Sequence, residues 1–469
     1  RSGLIMIVMK IGGSSLRSVE SLRLAAGVIH GRPEPEKIVV LSAVSGVTNH
    51  LLRSVGEAMQ SERRIGGLLD YLNLLHRELI LGTISDRRIQ HRVLDEVAYL
   101  ISRLEKLLYG IAYTGECSRR MRDLIISMGE RMAVQLLAGA LQQQGLEAQA
   151  LDADKIDIVA SGEFGNGNAE LETTARMLPQ HLHDLLRRGG IPVITGFFGR
   201  TPGGHTITFG RGGTDYSAAI IAHAMEAEEL QIWKDVDGFL TANPEIVPEA
   251  RPLDYLAYDE AAELSYFGAA ILHPRTVEPL SRKGIPAVIR NTYRPDAPGT
   301  RIGAEKQQHQ EIIKSVVTNS DIGMLRLHGA SLGQQVGFLK TAVSALSDAE
   351  INIISVITAQ TAVNLLLGKG DVERSARLVE GLHIAYVDQI EPVTDVALIG
   401  VVGEGLDTTR GLAARVFKAV AGAGANVEMI ASGASRVTQY FIIKERDRDA
   451  TVRAIHSEFF GSPAQAVRR

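Results

Sequence analysis

Short apolar runs alternate with longer stretches of helical spacing through the first 300 residues. Residues 5–10 form an apolar run that stops at Gly12-Gly13-Ser14-Ser15, and helical spacing follows through Leu16, Val19, Leu22, Leu24 and Val28. Residues 37–41 are a second run, closed by residues 42–48; residues 50–109 are charge-laced and helical, with no strand. A further helix is predicted over 124–141, then strands at 148–151, 191–195, 229–232 and 286–291. Such alternation predicts an α/β layer around a mainly parallel sheet, whose ligands sit where strands end and helices begin.

Past residues 295–299 the chain turns Pro- and Gly-rich and then polar, which marks a domain boundary. An internal repeat follows at an offset of 74: Asp321 matches Asp395, Gly337 matches Gly411, and Asn352 matches Asn426. Each unit reads strand–helix–strand–strand–helix, the core of a ferredoxin-like βαββαβ module. The second unit runs out of strands, whereas residues 312–317 are a spare strand ahead of the first. That spare strand is predicted to complete the second unit's sheet.

Composition narrows the classes. The 469 residues suggest about three domains of roughly 150. With 45% hydrophobic and 22% charged residues, the chain has ample core and little room for disorder. A formal charge of −4 argues against nucleic acid as a partner. The single cysteine, Cys117, excludes a disulfide framework and fits a reducing, cytoplasmic setting. No apolar run reaches about 18 residues, so no membrane helix is expected. The chain opens on Arg1, and an incomplete or processed N-terminus is expected. The 47 glycines cluster beside apolar runs, where a backbone can approach a ligand.

Three segments carry chemistry. Lys10-Ile11-Gly12-Gly13-Ser14-Ser15 joins a strand to a helix; its N–H groups can converge on phosphate, and Lys10 can neutralise a phosphoryl group in flight. It is neither a Walker loop nor GxGxxG. Residues 209–217, with Gly210, Gly212 and Gly213, open another helix; Arg211 offers a fork for a carboxylate, and Thr214 and Asp215 can cap or organise. Trp233-Lys234-Asp235-Val236-Asp237-Gly238 follows a strand and suits nucleotide contact. Thr48 and Glu130 are further candidates, although a helical Glu beside Arg131 also reads as a structural ion pair. The histidines form no metal pattern, and His273 before Pro274 reads as a buried loop residue.

Taken together, VMKIGGSSL, LSAVSGVTN, ISMGERM, FGRGGTDYSAA, IWKDVDGFLTANP and FGAAILHP resemble the aspartate kinases of the amino-acid kinase superfamily, over essentially the whole chain. The resemblance implies a three-layer α/β amino-acid-kinase domain with a mainly parallel central sheet over 1–303. It further implies a linker and completing strand at 304–318, and two ferredoxin-like ACT modules at 319–390 and 391–469. The implied reaction is phosphorylation of the β-carboxylate of L-aspartate by ATP with Mg²⁺, giving 4-phospho-L-aspartate. That is the first step toward lysine, threonine and methionine, with feedback at the ACT modules.

The resemblance assigns roles by position. Lys10 would stabilise the transferring group and Asp215 would hold Lys10; Gly12, Gly13 and Ser14 would cradle phosphates, with Lys234, Asp235 and Leu240 along the nucleotide. Arg211 would grip the α-carboxylate, Glu130 the α-ammonium, and Ser42, Thr48, Phe197, Gly213 and Thr214 would complete the pocket. No protein side chain is expected to bind the metal. An effector, lysine or threonine, would sit near Gln335, Val336, Gly337, Phe338, Leu339, Asn352 and Thr358. A homodimer through residues 312–469 is implied, with no membrane partner.

The chain departs from the family pattern at Ile11, Leu240, Glu245, Gln360-Thr361 and Ala434-Ser435-Arg436. Lys234 and Ala270 stand where Thr and Lys are common, a swap in which Lys234 would supply the cation that position 270 lacks. Alternatives are another amino-acid kinase (for glutamate, acetylglutamate or a nucleotide monophosphate) or a catalytically weak amino-acid sensor on a kinase scaffold.

Overall fold

The computed structural model describes residues 5–268, 271–307 and 312–461. Ala270, half of the swap noted above, lies outside them. The chain divides into two units: Arg1–Phe239 with Pro252–Ala262 and Ile271–Glu305, and Leu240–Arg251 with Glu263–Ala270 and Lys306–Arg469.

In the first unit the strands are β1 (Met6–Ile11), β2 (Glu36–Leu41), β3 (Ala148–Leu151), β4 (Ala160–Glu163), β5 (Asn166–Ala169) and β6 (Ile191–Thr195). They continue with β7 (Phe198–Arg200), β8 (Thr206–Thr208), β9 (Glu229–Lys234), β10 (Tyr255–Ala257), β11 (Ala287–Asn291) and β12 (Thr300–Gly303). Eight of them form one sheet in the order β10-β12-β11-β9-β1-β2-β6-β3, parallel at every pairing except β11 with β12. Central β1 and β2 are apolar on both faces because helices cover both. The helix Gly213–Met225 is buried on every side, and Ala218, Ala219 and Ala222 keep it slim. The helix Met128–Gln143 approaches so closely that a Cβ on Gly129 would stand 2.8 Å from the Ala43 side chain.

Two polar hairpins, β4–β5 and β7–β8, escaped sequence reading. The stretch Arg119–Gln143 is long and apolar enough by composition to span a bilayer, yet 89% of its apolar window is buried in the fold. It is a core segment.

The second unit contains β13 (Ser315–Asn319), β14 (Ile322–His328), β15 (Ile353–Thr358), β16 (Ala362–Gly368), β17 (Gln389–Val393), β18 (Val396–Val402), β19 (Val427–Ala431) and β20 (Thr438–Lys444). They make two four-stranded sheets, β15-β16-β14-β17 and β13-β18-β20-β19. The strand ahead of the first module thus sits antiparallel to β18, Ser315 opposite Val402. It occupies the place that β17 takes beside β14.

The repeat is reproduced in detail. Gly337 and Gly411 open their helices with φ of +86° and +79°, and β15 and β19 each carry a register shift after their first residue. The offset of 74 holds as far as β19, whereas β16 and β20 start 76 apart, since the second hairpin loop is longer. Two boundaries need correction. A cut at 391 divides β17, which belongs wholly to the first module's sheet, and Leu240–Arg251 groups with the second unit. Ala242, Ile246 and Val247 share a core with Ile313 and Val316, and the Val316 N–H donates to the Thr241 carbonyl at 2.8 Å.

Candidate active site

Lys10 is the penultimate residue of β1, and Asp215 lies in the first turn of the helix Gly213–Met225. Their ion pair is buried, Nζ to Oδ1 at 2.7 Å. Lys234, at the end of β9, reaches the other oxygen of Asp215 at 3.4 Å. One carboxylate therefore holds two ammonium groups. Burial by itself would raise the Asp215 pKa, but Lys10 and Lys234 outweigh it and hold the carboxyl below its ordinary value. Burial lowers the Lys234 pKa, and Lys10 adds to that while Asp215 opposes it.

The Gly12-Gly13 turn is close-packed, with no room for a side chain at Gly13. Gly12 donates to the Trp233 carbonyl at 3.2 Å, and a Cβ there would stand 3.5 Å from Lys10 Nζ. A Cβ on Gly13 would stand 2.8 Å from the Ala43 carbonyl oxygen. Ser14 is half-buried in the short turn Gly13–Leu16, and the Ser42 N–H donates to the Ile11 carbonyl.

Glu130 opens the helix Met128–Gln143 and is 2% exposed. Its Oε1 accepts from the Ala43 N–H at 3.1 Å, and its Oε2 has no hydrogen-bond partner among the described residues. Burial pushes its pKa up to about 8 against the pull of the Ala43 amide. Arg131 does not pair with it: that guanidinium meets Asp152 and, at 2.6 Å, Asp154. The structural ion pair is real, but its acids are Asp152 and Asp154, leaving Glu130 with a free oxygen.

Phe197 takes a left-handed backbone (φ +74°) so that its carbonyl can accept from Phe209, and a Cβ on Gly213 would press its ring at 2.9 Å. Gly196 gives way to Thr214. Arg211, between Gly210 and Gly212, is exposed and makes no ion pair among the described residues, as a ligand-binding guanidinium should. Thr48 is half-buried in the first turn of the helix Val47–Gln60. Asp235 is exposed. Leu240 belongs to the second unit, where its carbonyl accepts from Ser315 Oγ.

Of the organising residues behind the site, Asp123 and Arg275 were not singled out from sequence. Asp123 Oδ2 accepts from the N–H groups of Gly165 and Thr208, both at 2.8 Å, and so joins the two hairpins. Arg275 bonds the carbonyls of Phe209 and Gly167 and lies 4.4 Å over the Tyr216 ring. His273 packs on Gly212, where a Cβ would come within 2.2 Å of its ring. Cys117 is half-buried, and burial raises its thiol pKa against the pull of Arg122.

The predicted effector residues fall in the first module of the second unit. Val336 is fully exposed beside Gly337, and Asn352 and Thr358 are exposed at either end of β15. Phe338 is an exception: its ring is buried against Leu332 and Leu346.

These features define a class. Residues 6–291 match the amino acid kinase family, and residues 399–459 match an ACT domain, so the chain belongs to the amino acid kinase family. Within it the chain groups with the aspartokinases. It is 34% identical to aspartokinase 1, chloroplastic, of Arabidopsis thaliana, over 98% of this chain and 81% of that protein. The E. coli aspartokinase III structure with aspartate and ADP, in its R-state, superposes with a TM-score of 0.83 at 27% identity, covering 97% of this chain and all of that one. The T-state of the same enzyme with lysine and aspartate gives 0.82 at 27%, covering 97% and 99%.

Proposed function

We propose that this chain transfers the γ-phosphoryl group of ATP to the β-carboxylate of L-aspartate. A carboxylate oxygen bonds to phosphorus, the bond to the β,γ-bridging oxygen breaks, and its electron pair leaves with ADP. No proton has to move. A loose transfer of this kind needs alignment and positive charge more than a base. The observation that carries the reading is Asp215, which holds Lys10 and Lys234 together beside the Gly12-Gly13 turn. Two cations sharing one anion leave a net positive charge for the phosphates. Lys234, held at that position, serves as the second phosphate cation.

Glu130 binds the α-ammonium through the oxygen that has no other partner, and Arg211 binds the α-carboxylate. Mg²⁺ carried by the phosphates would neutralise part of their charge; Asp215 is committed to two lysines and suits a hard ion poorly. Lysine or threonine acts at the ACT modules. Two copies pair through the outermost strands β15 and β19, which expose Val356 and Ile430. Coupled ADP release with L-aspartate, with L-glutamate and with no acceptor tests the reading. Turnover with aspartate alone is expected; equal turnover with glutamate, or none with either, overturns it.

A further inference from the structure

On the first unit, away from the lysine pair, lies a cavity of about 360 Å³. Its floor is the buried Arg131–Asp154 pair, with Thr206 Oγ1 donating to Asp154 at 2.6 Å and the Arg131 guanidinium 4.6 Å over the Phe198 ring. One wall is apolar, made by Leu107, Met121 and Leu124. The rim is cationic: Arg103 and Arg120, which make no ion pair among the described residues, Lys155, which also acts on Asp152 and Asp154, and His205, whose Nε2 lies 3.4 Å from Arg120. Asp154, the acid in the lining, shares Arg131 with Asp152, and Lys155 faces both carboxylates.

Four cations, Arg103, Arg120, Arg131 and Lys155, stand against two acids, Asp152 and Asp154, and a bound anion offsets the excess positive charge at the mouth. Two of those at the rim are guanidiniums, which match phosphoryl oxygens in pairs, and the volume is that of a small-molecule site. We propose that this cavity binds a small organic phosphate monoester, its phosphate among Arg103, Arg120 and Lys155 and its apolar body along Leu107, Met121 and Leu124.

The walls connect to the substrate site. Asp123, between Met121 and Leu124 in sequence, fixes Thr208, and Thr206–Thr208 leads into the Gly210–Asp215 segment. Arg131 of the floor adjoins Glu130. A ligand here therefore biases the aspartate pocket from within the catalytic unit, without the ACT modules.

Binding is measured first and does not depend on the kinase reading. Phenyl phosphate, inorganic phosphate and benzoate are titrated by calorimetry into the full chain and into Arg120→Glu/Lys155→Glu, two exposed positions outside the catalytic set. The double variant leaves the lysine pair and Arg211 intact, so the difference between it and the parent chain reports this cavity alone. The expectation is binding of phenyl phosphate at least ten-fold tighter than either fragment, and at least ten-fold weaker in the variant. Equal binding of benzoate overturns the phosphate assignment, and unchanged affinity in the variant overturns the site. Leu107→Glu, which places an acid on the apolar wall, gives the same answer if the double variant fails to fold. In the active enzyme, phenyl phosphate is expected to shift the aspartate KM of the parent chain at least two-fold and leave that of the variant unmoved; an unmoved parent KM overturns the coupling.

Discussion

Two helix starts in the first unit each bury an acid, and they treat it in opposite ways. At Gly213–Met225, Asp215 is surrounded by lysine and stays ionised. At Met128–Gln143, Glu130 has one backbone donor and an idle oxygen, and its pKa rises to about 8. A carboxylate whose cations are built in is a fixed part of the site; one whose cation is missing suits the ammonium of the proposed substrate. The same burial thus goes with a lowered pKa at one helix and a raised one at the other.

The largest test removes a built-in cation. Lys10→Ala is expected to lower kcat by about a thousand-fold with a smaller change in the aspartate KM, because the lost charge acts on the moving phosphoryl group. Steady-state kinetics checks it; a change confined to KM would make Lys10 a mere binding group. Next, Glu130→Gln keeps the acceptor for Ala43 but loses the charge, so the aspartate KM should rise about a hundred-fold. The same substitution should raise the melting temperature of the free protein at pH 8.5 by about 2–4 °C, since it removes a buried charge. Calorimetry would refute this if the variant melted lower.

The pH dependence has a definite sign. Because the Glu130 pKa is raised from 4.5 to about 8, its contribution to stability is complete below 4.5 and lost as pH rises through 8. Aspartate binding runs the other way. The ammonium needs the carboxylate, so the aspartate KM is expected to fall by up to about ten-fold per pH unit between 6 and 8. A flat KM profile in the parent chain would place the ammonium elsewhere. The smallest effect is Lys234→Ala, for which the ATP KM should rise by about ten-fold while the aspartate KM holds. An unchanged ATP KM and rate would leave Lys10 as the working cation.

Much of this contrast was legible before the fold was known. The glycine pairs announced two tight strand-to-helix turns, and Lys10, Arg211, Thr214 and Asp215 stood beside them. The repeat landmarks at Gly337 and Gly411 placed both modules, because a left-handed helix cap leaves a glycine in the sequence. What escaped depends on distant partners. Asp123 is an isolated acid in sequence and acquires its role only from the amides of Gly165 and Thr208. The hairpin strand Asn166–Ala169 is too short and polar to show an alternating pattern. Arg131 was visible as a neighbour of Glu130, but its acids come from another element. Leu240 looked continuous with the nucleotide segment, although the chain changes unit immediately after Phe239.

The strand β13 has a consequence for how the protein is made. It emerges from the ribosome before the entire first module, yet its partner β18 is synthesised only after that module is complete. Until then the edge of Ser315–Asn319 that faces β18 is unpaired, the kind of edge that seeks other chains. Rapid closure of the first module, which is made of local pairings, brings the two ends of the second together and shortens the loop that must be closed. The first module is therefore the folding bracket of the second, and a chain severed between them deprives the downstream half of a border strand.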